Sequence, residues 1–217
     1  MTSVAQKIKN RIKGKGRGWA FTPRDFVDLG TRNNVGQILN RLATQGFIRQ
    51  VSRGVYDYPR KHPTMGDFPP HVKNVAAAVV RTTGDRLYPT GATAANMLGL
   101  TTQVPARDAY VTTGKPRIVQ VWNLKVPLYK SDIPKTITRP LAYITLQALD
   151  NLGPRMADQR IIDKVAKKLS PSDKKDIQKN LRYIKNPWLS DIAAQLVAWE
   201  KPLWVPDPDF FEPQHFN

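Results

Sequence analysis

Residues 22–60, TPRDFVDLGTRNNVGQILNRLATQGFIRQVSRGVYDYPR, pass from a helical to a strand-like apolar period, and that change constrains the fold most. Val35, Ile38, Leu39 and Leu42 fall at i, i+3, i+4 and i+7, the apolar stripe of one helix. Thr31 supplies a hydroxyl cap at its start and Gly46 a left-handed stop at its end. Ahead of it, Thr22-Pro23 predicts a shorter helix running through Phe26, Val27 and Leu29 and stopped by Gly30. After it, Phe47–Val51 and Val55–Tyr58 read as strands around the turn Ser52-Arg53-Gly54. Two helices meeting at a tight turn, followed by a basic hairpin, form the pattern of a winged helix-turn-helix.

The polar face of the second helix carries the chemistry. Arg32, Asn33, Asn34, Gln37 and Arg41 lie opposite its apolar stripe. Arg reads guanine edges in two-point contact, and Asn and Gln read adenine edges. In a helix-turn-helix the first residues of the second helix reach the bases, so Thr31, Arg32, Asn33, Asn34 and Gln37 stand where base contacts belong. Arg49 and Arg53 lie on the hairpin, where phosphate contacts are expected. The alternative is a solvated polar face beside an ordinary hairpin. Charge argues against it: residues 1–61 hold 13 Lys+Arg against 3 Asp, a net of +10 in a chain of net +17. Such an excess points to phosphate. An anionic membrane would also attract it. However, the predicted first helix, about residues 4–13 behind a Ser3/Gln6 capping box, offers only Val4, Ile8 and Ile12 as a narrow stripe without aromatic anchors. Lys7 and Arg11 on that helix join the expected DNA-binding set.

The composition excludes several classes. No apolar run reaches 18 residues, so no membrane span is expected, and MTSVAQKIKNRIKGKG lacks the apolar core of a signal peptide. A chain with no cysteine forms no disulfide or thiolate metal site and suits a reducing, cytoplasmic setting. His62, His71 and His215 lack metal-ligand spacing, and Gly14–Gly18 lacks the spacing of a phosphate-binding loop. No carboxylate pair or nucleophile elbow stands out, so no cofactor, no metal and no enzymatic activity are expected.

Four prolines in residues 59–70 mark a boundary. The reading is an α+β fold: an N-terminal winged helix-turn-helix domain over 1–61, a Pro-rich linker over 62–70, and a larger mixed α/β domain over 71–217 with a helical C-terminal part. Strands are expected at 109–113, 117–122 and 124–128, the first two joined as a hairpin by Gly114-Lys115-Pro116. Helices are expected from Pro140, from Asp158, over about 170–184 from Ser170, and over 188–200. Lys115, Arg117, Lys125 and Lys130 form a basic hairpin, and Arg155, Arg160, Lys164, Lys167 and Lys168 a basic helix, each either solvated or a contact surface. The stretch from Pro202 is proline-rich, acidic and aromatic, and is expected to be ordered only by packing its rings.

The winged segment with its ending GFIRQVSRGVYDYP resembles the N-terminal domain of AbiE-type (type IV) antitoxins, and LYPTGATAANMLGLTTQVPARDAYVTT before a basic hairpin resembles the middle of the same proteins. The shared order covers roughly residues 1–200. The resemblance implies an antitoxin of a bacterial toxin–antitoxin pair active in abortive infection and phage defence. Its winged domain would bind inverted repeats in its own promoter and repress it, and its C-terminal domain would counter a nucleotidyltransferase-like toxin. The positions it carries over are Arg32, Asn33, Asn34, Gln37, Arg41, Arg49 and Arg53. A winged-helix regulator without a toxin partner, and a nuclease subunit docking through its winged domain, are alternatives that the residues leave open.

Overall fold

The computed structural model describes residues 2–106 and 109–200, and the acidic, aromatic stretch from Pro202 lies outside them. The fold is α+β, with eight α-helices and three β-sheets among the described residues. The first helix, α1 (Val4–Lys15), begins where the Ser3 hydroxyl accepts the Gln6 N–H at 3.2 Å, and it buries Ile8 and Ile12 completely. Strand β1 (Ala20–Phe21) follows. The expected helix from Thr22 is only one 3-10 turn, Pro23–Phe26. Asp25 closes it by accepting the Thr22 N–H at 2.8 Å. Phe26 points into the core while Val27 is 64% exposed, so the apolar run is not one inward face. Gly30 is not left-handed, because a single turn needs no such stop.

Helix α2 (Arg32–Thr44) has its expected form. Thr31 caps it, and Val35, Ile38, Leu39 and Leu42 are all buried. At its end Gly46 adopts φ +68°. Strands β2 (Arg49–Ser52) and β3 (Val55–Asp57) follow, with Gly54 at φ +71° in their turn. With β1 they form an antiparallel sheet in the order β1-β3-β2. Its helix-facing side closes a core of Ile8, Ile12, Phe21, Phe26, Val35, Leu39, Ile48 and Tyr56.

The proline-rich stretch holds two short paired strands, β4 (Lys61–His62) and β5 (Gly66–Asp67). Packing is continuous across it. Helix α3 (Val72–Arg81) shares one apolar cluster with Ala20, Val51 and Val55 on one side and Val119, Val121, Val126 and Leu128 on the other. Arg81 ties α3 to the 3-10 turn through Asp25 at 2.8 Å.

A second sheet contains β6 (Leu87–Pro89), β7 (Tyr110–Thr112), β8 (Arg117–Val121) and β9 (Leu124–Lys130) in the order β6-β7-β9-β8. The expected β7–β8 hairpin does not form. Strand β8 turns at Trp122-Asn123 into β9, and β9 inserts beside β7 in parallel. Val126 and Leu128 are the reason: both are buried, and a central strand buries them better than an edge strand. Helix α4 (Gly91–Met97) lies against α5 (Pro140–Met156), which kinks at Gly153-Pro154, and α6 (Gln159–Ala166), α7 (Pro171–Asn180) and α8 (Pro187–Ala198) complete the largest core. The helix expected to reach Ile184 ends at Asn180 and passes into a 3-10 turn, Leu181–Tyr183. Within that core Tyr143 stacks on Tyr88 with ring centroids 3.8 Å apart, and burial pushes its phenol up to about 12. No helix among the described residues is long and apolar enough to cross a membrane.

Candidate nucleic-acid interface

Helix α2 presents its polar face to solvent because its opposite stripe is spent on the core. Arg32, Asn33 and Gln37 share one shallow surface there with Pro23, Gly36 and Asn40. Gly36 and Asn40 were not among the expected contacts. The helical period contains the signal, since 32, 36 and 40 as well as 33 and 37 recur one turn apart. Gly36 is informative: a Cβ built there meets nothing within 4 Å. A glycine inside a helix costs about 0.5–1 kcal/mol relative to alanine, and no packing within the chain requires it here. It leaves a flat, open place on the helix surface. Gly36→Ala is therefore expected to raise unfolding stability by about 0.5–1 kcal/mol. In the same protein it is expected to weaken duplex binding, measured by urea unfolding and gel shift.

The remaining expected contacts fall into two groups. Arg53 stands at the β2–β3 turn and lines, with Arg32 and Arg24, a groove of about 850 Å³ bounded further by α3 and β8. Among the described residues no carboxylate lines that groove, so its three guanidinium groups set its potential, that of Arg24 while donating to the Thr82 carbonyl. Lys7, Asn34 and Arg41 are exposed but do not line it, Asn34 lying beside Gly30 toward α1 and Arg41 one turn beyond Gln37. Thr31 serves as the helix cap.

Arg11 and Arg49 have intramolecular partners instead. Arg11 forms a two-point pair with Asp28 at 2.7 and 2.6 Å and donates to the Asp25 carbonyl at 2.9 Å. Its hydrogen bonds hold the Asp28 carboxyl below the ordinary carboxylate range. Arg49 pairs with the buried Asp57 at 2.9 and 2.6 Å, donates to the Phe68 carbonyl at 3.0 Å, and lies 4.8 Å above the Trp122 ring. Trp122 has φ +51° at the β8–β9 turn, so Arg49 joins the first sheet to the tip of that hairpin. Neither guanidinium is free for phosphate without breaking these contacts.

The other basic groups divide similarly. Arg117 pairs with Asp85 at 3.3 Å, while Lys115, Lys125 and Lys130 are exposed. Lys164 and Lys168 donate to the carbonyls of Gly99 and Leu98 at 2.6 and 3.1 Å, which satisfies the C-terminal end of α4. Among the described residues no three His, Asp or Glu side chains gather in a way that could hold a metal ion.

No curated protein and no solved structure matches this chain. One family model does, over residues 7–177, from within α1 to within α7. The chain thus belongs to DUF6088, a family of unknown function.

Proposed function

We propose that this protein binds duplex DNA as a winged helix, with the α2 face reading bases and the β2–β3 turn holding phosphate. The observation that carries this reading is the shared surface of Arg32, Asn33 and Gln37 around an unfilled Gly36, with Arg53 and, among the described residues, no carboxylate across the adjoining groove. Arg, Asn and Gln supply the donors and acceptors that major-groove edges match, and Arg53 adds a phosphate partner. Arg11 and Arg49 are left out of the contact set.

On the resemblance of its winged segment and its TGATAANMLGLTTQVP motif, the protein is a cytoplasmic antitoxin of a bacterial type IV pair. It represses its own promoter through inverted repeats and counters a nucleotidyltransferase-like toxin. Small residues within that motif seat α4 on α5, so its support for the antitoxin role lies in its order along the chain.

The test uses the full chain. A duplex from upstream of its own gene is expected to be retained in preference to a scrambled one, with log K falling against log salt by about 0.9 per phosphate contacted. Co-expression with the product of the neighbouring reading frame is expected to restore growth. Equal affinity for both duplexes would overturn the regulator reading. Selective binding without growth rescue would favour a regulator that has no toxin partner.

A further inference from the structure

The groove beside α2 has a wall that DNA reading does not explain. Strand β8 is the outer strand of its sheet. Its two-residue turn pairs Val121 with Leu124, so Arg117, Val119 and Val121 turn their backbone groups toward β9. The Ser131 N–H donates to the Thr112 carbonyl on the far side of β9, which fits the same alternation. Ile118 and Gln120 therefore turn their N–H and C=O groups outward, and both residues line the groove. Ile118 is 67% exposed and Val27, which lines the same groove, 64%.

An outer strand with unpaired backbone groups accepts an extended peptide as an added strand. Here the apolar walls call for aromatic side chains on that peptide, and Arg24, Arg32 and Arg53 call for carboxylates. The chain carries such a segment. Residues 202–217 contain Asp207, Asp209 and Glu212, four aromatic rings and no Lys or Arg. Between Pro208 and Pro213 lies a proline-free stretch, Asp209-Phe210-Phe211-Glu212, whose N–H groups are all able to donate to a strand edge.

We propose that residues 209–212 of this protein occupy the groove, adding along β8 with their rings on Val27 and Ile118 and their carboxylates on the three arginines. The occupied groove then withholds Arg32 and Arg53 from DNA, a consequence that rests on the function proposed above. The tail becomes a competitor of the duplex. At nine-tenths occupancy it lowers DNA affinity about tenfold.

The absence of cysteine makes a direct test possible in the full chain. Gln120→Cys is paired with Pro208→Cys and, separately, with Pro213→Cys, the positions flanking the docked stretch, and oxidised gently, beside Lys13→Cys with the same tail cysteine as the control on α1. The faster of the two links to position 120 is expected to form about tenfold faster than its control, and Ile118→Asp is expected to return it to the control rate. The mass of the product, one chain or two, reports which copy supplies the segment. Rates no greater than the control for both would overturn the proposal. Added duplex is expected to slow the faster link. Fast linking that duplex leaves unchanged would uphold the docking and contradict the use of this groove by DNA. Selective duplex binding without fast linking would overturn the docking alone.

Discussion

Arg49→Ala is expected to lower the free energy of unfolding by about 3 kcal/mol, far more than the loss of a surface cation. Asp57 is only 2% exposed, and Arg49 is its ion-pair partner. Removing the guanidinium leaves a buried carboxylate without its counter-charge, and it also frees the Phe68 carbonyl and the Trp122 ring. Arg49→Lys keeps the charge but loses the two-point geometry, so an intermediate loss is expected. Urea unfolding with an unchanged slope is the measurement. A small stability loss accompanied by weaker DNA binding would instead make Arg49 a DNA contact.

Gly91→Ala is expected to cost roughly 2 kcal/mol or more, for a different reason. A Cβ at Gly91 would stand 2.4 Å from the Asn151 Cβ and 2.8 Å from the Gln147 backbone carbonyl. A backbone oxygen cannot rotate aside, so α4 must lift from α5 and open the core around the fully buried Ala94, Ala95 and Leu146. The expected readouts are a lower unfolding midpoint and faster hydrogen exchange in α4 and α5. The same change at Gly36, where space is open, has the opposite expected sign. The pair separates a glycine needed by the fold from one the fold does not use.

What the sequence made legible is what short spacings determine. The starts of α1 and α2 follow from Ser3 and Thr31, the end of α2 from Gly46, and its inward face from four apolar residues at one period, whereas α1 runs on to Lys15 past the expected stop near residue 13. Non-local pairing was not legible. Gly114-Lys115-Pro116 is a turn signal, yet it cannot say which strand receives the next one, and β9 displaced β8 from β7. The tight seat of Gly91 depends on Gln147 and Asn151 of α5, far downstream, and leaves no local mark.

The candidate site shows the same division. Arg32, Asn33 and Gln37 could be named together because one helix face holds them, whereas the turn of Asn34 toward α1 could not be foreseen. Arg11 could not be excluded, since Asp28 reaches it only through the fold. Arg49 was no more legible: a two-residue turn at Arg53-Gly54 would set Tyr58 opposite it, and only the register shift between Gln50 and Ser52 brings Asp57 there. An opposite-charge pair across a hairpin is a structural contact before it is a binding one.

The central claim is that α2 reads sequence while the β2–β3 turn reads charge. Equilibrium binding of Arg32→Ala and Arg53→Ala to the upstream duplex and to a scrambled duplex, across a salt series, tests it most directly. Arg32→Ala is expected to lose about 1–3 kcal/mol on the upstream duplex and little on the scrambled one. Arg53→Ala is expected to weaken both alike and to flatten the salt dependence by about one unit. Wild-type affinity of both variants for both duplexes would contradict the claim.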